Sequence, residues 1–147
     1  GVMHRDVKPS NIVIGEEDRR ARLLDFGSAR VGQLRSSLSD AGMALGTPAY
    51  MAPEVIKGVD RLTPSIDLYA VGVVLYEGLT GFRPFPGNQV GALMMDILQK
   101  APTPPSSLAP VAPMVETLVL DLLAKEPRAR PNNPSRLARQ LRTLARG

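Results

Sequence analysis

His4-Arg5-Asp6-Val7-Lys8-Pro9-Ser10-Asn11-Ile12-Val13-Ile14 is followed, after the polar segment Gly15–Ala21, by Arg22-Leu23-Leu24-Asp25-Phe26-Gly27. Two short apolar runs separated by polar residues read as a β-hairpin, with strands Asn11–Ile14 and Arg22–Phe26. Asn11 opens the first strand and Asp25 closes the second. A hairpin centred on residue 18 sets the two opposite each other, with Cα atoms roughly 4.5–5.5 Å apart. A carboxamide and a carboxylate then meet at one end of the hairpin, beside the loop that carries Asp6 and Lys8. Oxygen donors without Cys or His suit a hard cation such as Mg²⁺. An acid, a base and two metal ligands in one cluster point to phosphoryl transfer, where positioning and charge neutralisation do most of the catalysis.

The rest of the chain is mostly helical. Residues 31–46 are polar, rich in Ser and Gly, and show no period. Ser65 to Leu79 is nearly continuous apolar sequence broken by Asp67 and Glu77, which predicts a helix in the middle of the domain. Asp67, in its first turn, is placed to cap free backbone N–H groups. Val90, Leu93, Met94, Ile97 and Leu98 follow the spacing of an amphipathic helix, as do Val115, Leu118, Val119, Leu122 and Leu123. Five prolines in residues 101–113 make the connection between them irregular. A last basic helix sets Leu137, Leu141 and Leu144 on one face. The expected fold class is therefore α+β, one helical domain with a small hairpin at its start.

The chain has 147 residues, with a hydrophobic fraction of 44 % and a charged fraction of 22 %, ordinary for a globular domain with a real core. It contains no cysteine, which excludes a disulfide framework and a thiolate metal site. No apolar run is long enough to cross a bilayer. The net charge is +4, and six arginines lie between Arg128 and Arg146. Such a balance admits nucleic acid or an acidic membrane as partner, but a solvated helix face accounts for it, and the sequence carries no base-reading motif.

Three stretches together resemble the protein-kinase family. His4-Arg5-Asp6-Val7-Lys8-Pro9-Ser10-Asn11 is similar to its catalytic loop, Asp25-Phe26-Gly27 to its metal-binding triplet, and Ala52-Pro53-Glu54 to the end of its activation segment. Their order and spacing fit the family. Lys8, two residues after Asp6, and Gly46-Thr47-Pro48-Ala49-Tyr50 resemble the Ser/Thr class. By this resemblance the fold is the mostly helical C-terminal lobe of a kinase, and the activity is transfer of the γ-phosphate of ATP to a protein Ser/Thr hydroxyl. Asp6 accepts the proton of the substrate hydroxyl and Lys8 neutralises charge on the transferred group. Asn11 and Asp25 hold Mg²⁺, with Lys8 also on the ATP phosphates.

The resemblance implies supporting roles too. Thr47 bonds to Asp6 and Lys8, Asp67 ties the catalytic loop from behind, and Glu54 pairs with Arg130. His4 and Phe26 are expected in the core. Arg5, aided by Arg30, receives a phosphate placed on the activation segment, where Ser36, Ser37 and Ser39 are the candidate phosphosites. No Gly-rich loop, strand lysine or partner glutamate occurs in the 147 residues. The expectation is thus a partial kinase domain over residues 1–147, one that requires an N-terminal lobe. Its implied partner is a protein substrate and not nucleic acid. Its implied place is the cytoplasm, with any membrane tether supplied by regions outside these residues. The alternative reading is a catalytically dead kinase-like interaction module.

Overall fold

The structure, a computed structural model, describes residues 3–24 and 48–144. Among the described residues a two-stranded antiparallel sheet, β1 (Ile12–Ile14) and β2 (Ala21–Leu23), precedes five α-helices. These are α1 (Pro53–Ile56), α2 (Ser65–Thr80), α3 (Val90–Gln99), α4 (Pro113–Leu122) and α5 (Pro134–Leu144). One-turn 3₁₀ segments at Pro9–Asn11, Pro48–Tyr50, Pro105–Ser107 and Pro127–Ala129 turn the chain between them.

Helix α2 is the axis of the domain. Tyr69, Val73 and Tyr76 are sealed from solvent, and Ala49, Ala52, Phe85, Leu93, Ile97, Val119 and Leu123 pack around them. The expected apolar-all-round helix is thus the central one, and it runs one residue beyond Leu79. It stops at Gly81, whose φ of 76° is the left-handed conformation that glycine adopts without a Cβ clash. At Gly72 the helix meets α4 so closely that a Cβ would lie 2.8 Å from that of Leu122.

Helix α4 starts at Pro113, two residues before the apolar pattern, because proline's fixed φ suits a first helical position. The Pro-rich connection is irregular, as its composition requires, but it is pinned. The Tyr76 hydroxyl donates to the Thr103 carbonyl at 2.8 Å, and Glu116 accepts from the Ser106 N–H at 2.6 Å. A second apolar cluster, built on Leu118, Leu122 and Leu137, fastens α5 to α4 and to the outer side of α2.

The hairpin register differs from the expected one. Ile12 faces Leu23, Val13 faces Arg22 and Ile14 faces Ala21, so Asn11 stands opposite Leu24, not Asp25. The cause is the turn. Gly15 and Arg20 close a four-residue loop through the Gly15 N–H to Arg20 carbonyl and Arg19 N–H to Gly15 carbonyl bonds, both 3.0 Å. Arg19 takes a φ of 54°, and Asp18 accepts from the Arg20 N–H. An even-numbered loop puts the centre of symmetry between two residues, not on residue 18. Strand β1 is also one residue shorter than expected, since Asn11 belongs to the preceding 3₁₀ turn.

Candidate active site

The loop His4–Asn11 gathers its polar groups around Asp6. Lys8 Nζ lies 2.8 Å from Asp6 Oδ2. Asn11 Nδ2 donates to the same oxygen at 3.0 Å and to the Asp6 backbone carbonyl at 2.8 Å. One carboxylate oxygen is therefore held from two sides. Among the described residues, Asp6 Oδ1 and the Asn11 side-chain oxygen carry no such bond. Asp6 and Lys8 side chains are 22 % and 24 % exposed, so the cluster is anchored yet reachable from solvent.

Two residues position this loop from beneath. Asp67, in the first turn of α2, accepts from the His4 N–H at 2.7 Å and from the Arg5 N–H at 2.8 Å. The expected cap on its own helix is not made, because both carboxylate oxygens are spent on the loop; nor is Asp67 fully buried. Those bonds bracket a strained residue. Arg5 has a φ of 68°, a conformation that costs a side-chain-bearing residue on the order of 1–3 kcal/mol. Charge-assisted bonds of roughly 1.5–3 kcal/mol each are enough to hold it. The kink turns the chain immediately before Asp6.

His4 is 3 % exposed and joins the loop to the hairpin. Its Nδ1 accepts from the Asp6 N–H at 3.3 Å, which places the proton on Nε2, and Nε2 donates to the Leu24 carbonyl at 2.7 Å. Leu24 precedes Asp25 in sequence, and its N–H donates to the Asn11 carbonyl at 2.8 Å. The single histidine is thus a buried brace. Sequence reading places it in the core but misses that it ties two parts of the site together.

Arg5 and Asp6 line a small cavity of about 30 Å³ together with Tyr50, Met51 and Asp67. The Arg5 Nε is buried there and has no hydrogen-bond partner among the described residues. Tyr50 donates to Glu77 Oε2 at 2.6 Å, a bond the sequence reading did not anticipate. Burial, aided by that carboxylate, pushes the Tyr50 hydroxyl well above the usual phenol range.

Below the loop, Glu54 and Arg130 form a bidentate pair of 2.7 and 2.8 Å, with both residues buried. Arg130 also donates to the backbone carbonyls of Ala124, Lys125 and Ser65 and stacks over the Tyr69 ring. All five guanidinium N–H groups find acceptors. The structure thus brings together Asp6, Lys8 and Asn11, then Arg5 with Asp67, then Glu54 with Arg130. Asp25, Thr47, Phe26, Arg30, Ser36, Ser37 and Ser39 lie outside the described residues, as do any contacts expected of them. Among the described residues no group of three His, Cys, Asp or Glu side chains could hold a metal ion by itself.

The protein kinase domain family matches residues 1–141. The chain belongs to that family. It is 37 % identical to the serine/threonine-protein kinase pkn3 of Myxococcus xanthus over 98 % of its own length and 28 % of the relative's. It is 40 % identical to Pkn1 of the same organism over 88 % of its length and 19 % of the relative's. It is 38 % identical to a probable serine/threonine-protein kinase PknB of Corynebacterium glutamicum over 99 % of its length and 23 % of the relative's. The chain therefore spans about a quarter or less of these curated relatives. Kinase-family members use ATP and a divalent cation and act on proteins. No helix among the described residues is long and apolar enough to cross a membrane.

Proposed function

We propose that the protein carrying this chain is a Ser/Thr protein kinase, that residues 1–147 supply part of its kinase domain, and that Asp6 is the group that takes the substrate proton. The observation that carries this is the Asp6–Lys8–Asn11 cluster, held on one carboxylate oxygen and open on the other. An incoming Ser or Thr hydroxyl donates to the free oxygen and is thereby aimed. A plain carboxylate suffices, because phosphoryl transfer passes through a loose transition state that needs orientation more than a strong base. Lys8 carries a positive charge beside the same point, where charge builds on the moving group.

The donor chemistry fits the cofactors. The free Asn11 side-chain oxygen is a hard donor suited to Mg²⁺, with Asp25 as its partner ligand. A bound Mg²⁺ would neutralise phosphate charge and orient the γ-phosphoryl group of ATP. The glycine-rich loop and the phosphate-binding lysine, absent from the 147 residues, come in this reading from an N-terminal lobe outside them. Val13 and Leu24 share one face of the hairpin and Ile14 lies on the other; they are 46 %, 44 % and 53 % exposed, apolar surface that such a lobe and the nucleotide would cover in part. In this reading the kinase portion is cytoplasmic, and phosphorylation of Ser36, Ser37 or Ser39 acts through Arg5, whose buried Nε still lacks an acceptor among the described residues. Arg5, Thr47, Glu54, Asp67 and Arg130 support the site.

The test is ATP-dependent phosphorylation of a Ser/Thr protein substrate by the full-length gene product and its Asp6→Asn variant. A loss on the order of 10²–10⁴-fold with unchanged melting temperature is expected. Activity within about twofold of the parent would refute the assignment of Asp6, and a parent without activity would favour an interaction module.

A further inference from the structure

We propose that the outer face of helix α5 is a docking surface for an anionic phospholipid membrane, with Arg136, Arg139 and Arg142 as the contacts. This is separate from phosphoryl transfer and does not depend on it. All three arginines are exposed, and none has a side-chain partner among the described residues. At three-residue spacing they cover about 9 Å along the helix. They lie roughly opposite Leu137, Leu141 and Leu144, which are committed to the cluster with Leu118 and Leu122.

A solvated face does not explain the pattern well. Among the described residues the one side-chain cap bond is donated by the Arg136 N–H to Asn133 Oδ1, at 2.9 Å. Arg136 sits in the first turn, at the positive end of the helix, where a cation is unfavourable. No acidic residue follows Glu126 in the sequence, so no i,i+4 ion pair is available to these side chains. Their i,i+3 neighbours are each other, a like-charge arrangement that weakens the helix. Arg142, in the last turn, suits the helix dipole, but Arg136 and the like-charge i,i+3 pairs cost α5 stability, and an outside anion is what they match.

A membrane fits this face better than a nucleic acid does. Leu137 is buried and Leu141 and Leu144 are half-buried against the same cluster, so the apolar side of the helix is turned to the protein and contact is limited to headgroups. The exposed side chains beside the arginines, Ser135 and Thr143, offer no aromatic ring for base stacking. The amides of Asn132, Asn133 and Gln140 line a groove shared with Met114 and Asp121, whose carboxylate repels phosphate; Arg136 borders this groove, while Arg139 and Arg142 lie outside it. What remains is a convex row of three arginines that winds over roughly 120° of the helix surface, within reach of their long side chains. A flat field of lipid phosphates meets all three forks at once.

Cosedimentation of the chain with vesicles rich in phosphatidylglycerol, against vesicles of phosphatidylcholine alone, tests this. Binding only to the anionic vesicles is expected, and it should fall steeply between about 0.05 and about 0.5 M salt. At about fivefold per arginine, R136Q/R139Q/R142Q should lose on the order of a hundredfold in partitioning. R19Q/R20Q/R61Q, with the same change in net charge at exposed positions elsewhere, should lose no more than a fewfold. Circular dichroism of both variants should match the parent. Equal losses in the two variants, or a parent that ignores anionic vesicles, would overturn the proposal. So would a short DNA duplex that displaces the vesicles at equivalent phosphate concentration, which would make nucleic acid the occupant.

Discussion

Asp6–Lys8 and Glu54–Arg130 are ion pairs of nearly equal length, 2.8 and 2.7 Å, in very different surroundings. In the first, both side chains keep more than a fifth of their surface in water, and bonding capacity is left over. In the second, the Arg130 side chain has no exposure and every N–H group is matched. A pair meant to meet a substrate must keep an unspent oxygen. A pair meant to hold helices together cannot tolerate an unspent donor, because a buried polar group without a partner costs more than the bond contributes. The same chemistry is thus divided into a working pair and a fastening pair, and the first turn of α2 links them, with Asp67 bonded to the loop and Ser65 to Arg130.

The largest stability effect should come from breaking the fastening pair. Arg130→Ala leaves the buried Glu54 carboxylate unpaired and releases three backbone carbonyls. A loss of about 3–5 kcal/mol in denaturant unfolding is expected, against less than about 0.5 kcal/mol for Arg139→Ala on the exposed face of α5. Equal losses in the two variants would erase the distinction between buried and exposed cations drawn above.

Asp67→Asn probes the link. One side-chain NH₂ must then face a backbone N–H of His4 or Arg5, and the bracket around the strained Arg5 opens. A loss of about 2–3 kcal/mol is expected. In the full-length gene product kcat should fall more than KM rises, since the loop that aims Asp6 is loosened while its side chains remain. A variant that loses stability but keeps kcat would show that the bracket is only structural.

Much of this arrangement is legible in the sequence, for identifiable reasons. Helix α2 announces itself through sixteen residues in which apolar side chains face every direction, a pattern that only a central helix sustains. The pairing of Glu54 with Arg130 is legible because both sit in motifs of known partnership. The hairpin register is not legible, because a loop of four residues and one of five differ by a single hydrogen-bond choice that Gly15 and Arg19 make locally. The role of Asp67 is half legible. Its place in the first turn alone suggests a cap on its own helix, whereas the family resemblance ties it to the catalytic loop, and His4 and Arg5 are the N–H groups it takes; the burial expected of it is only partial. The remaining acceptors of Arg130, all backbone carbonyls, leave no trace in side-chain identity.

Tyr69 offers a test with the opposite sign. Its hydroxyl is fully buried and has no partner among the described residues, while its ring supports the Arg130 guanidinium at 4.9 Å. Tyr69→Phe keeps the ring and removes the orphaned group. A gain of up to about 1 kcal/mol is expected in denaturant unfolding. A loss of similar size would mean that the hydroxyl has an acceptor outside the described residues.

The smallest effect should be a pH dependence set by Lys125, which lies between the two regions in character. Its ammonium stands 4.0 Å over the Phe85 ring and donates to the Ile97 carbonyl at 2.6 Å, contacts that favour the charged form. Burial, and then the nearby Arg130 guanidinium, outweigh them and bring its pKa down from 10.5 to about 8. Between pH 8 and 10.5 the unfolded chain therefore holds more protons at this site than the folded one, and stability contributed by Lys125 rises with pH. The tyrosines act in the other direction. Tyr50 and Tyr69 stay protonated in the fold well above the ordinary value of 10, so stability falls once unfolded tyrosines ionise. The window left to Lys125 is thus about pH 8 to 10. Relative to Lys125→Met, the parent should become progressively more stable across that window in thermal melts, by a small amount because the lysine is still partly solvated. A difference that is flat with pH, or that shrinks, would mean that the ring and carbonyl hold the ammonium charged and that burial does not prevail.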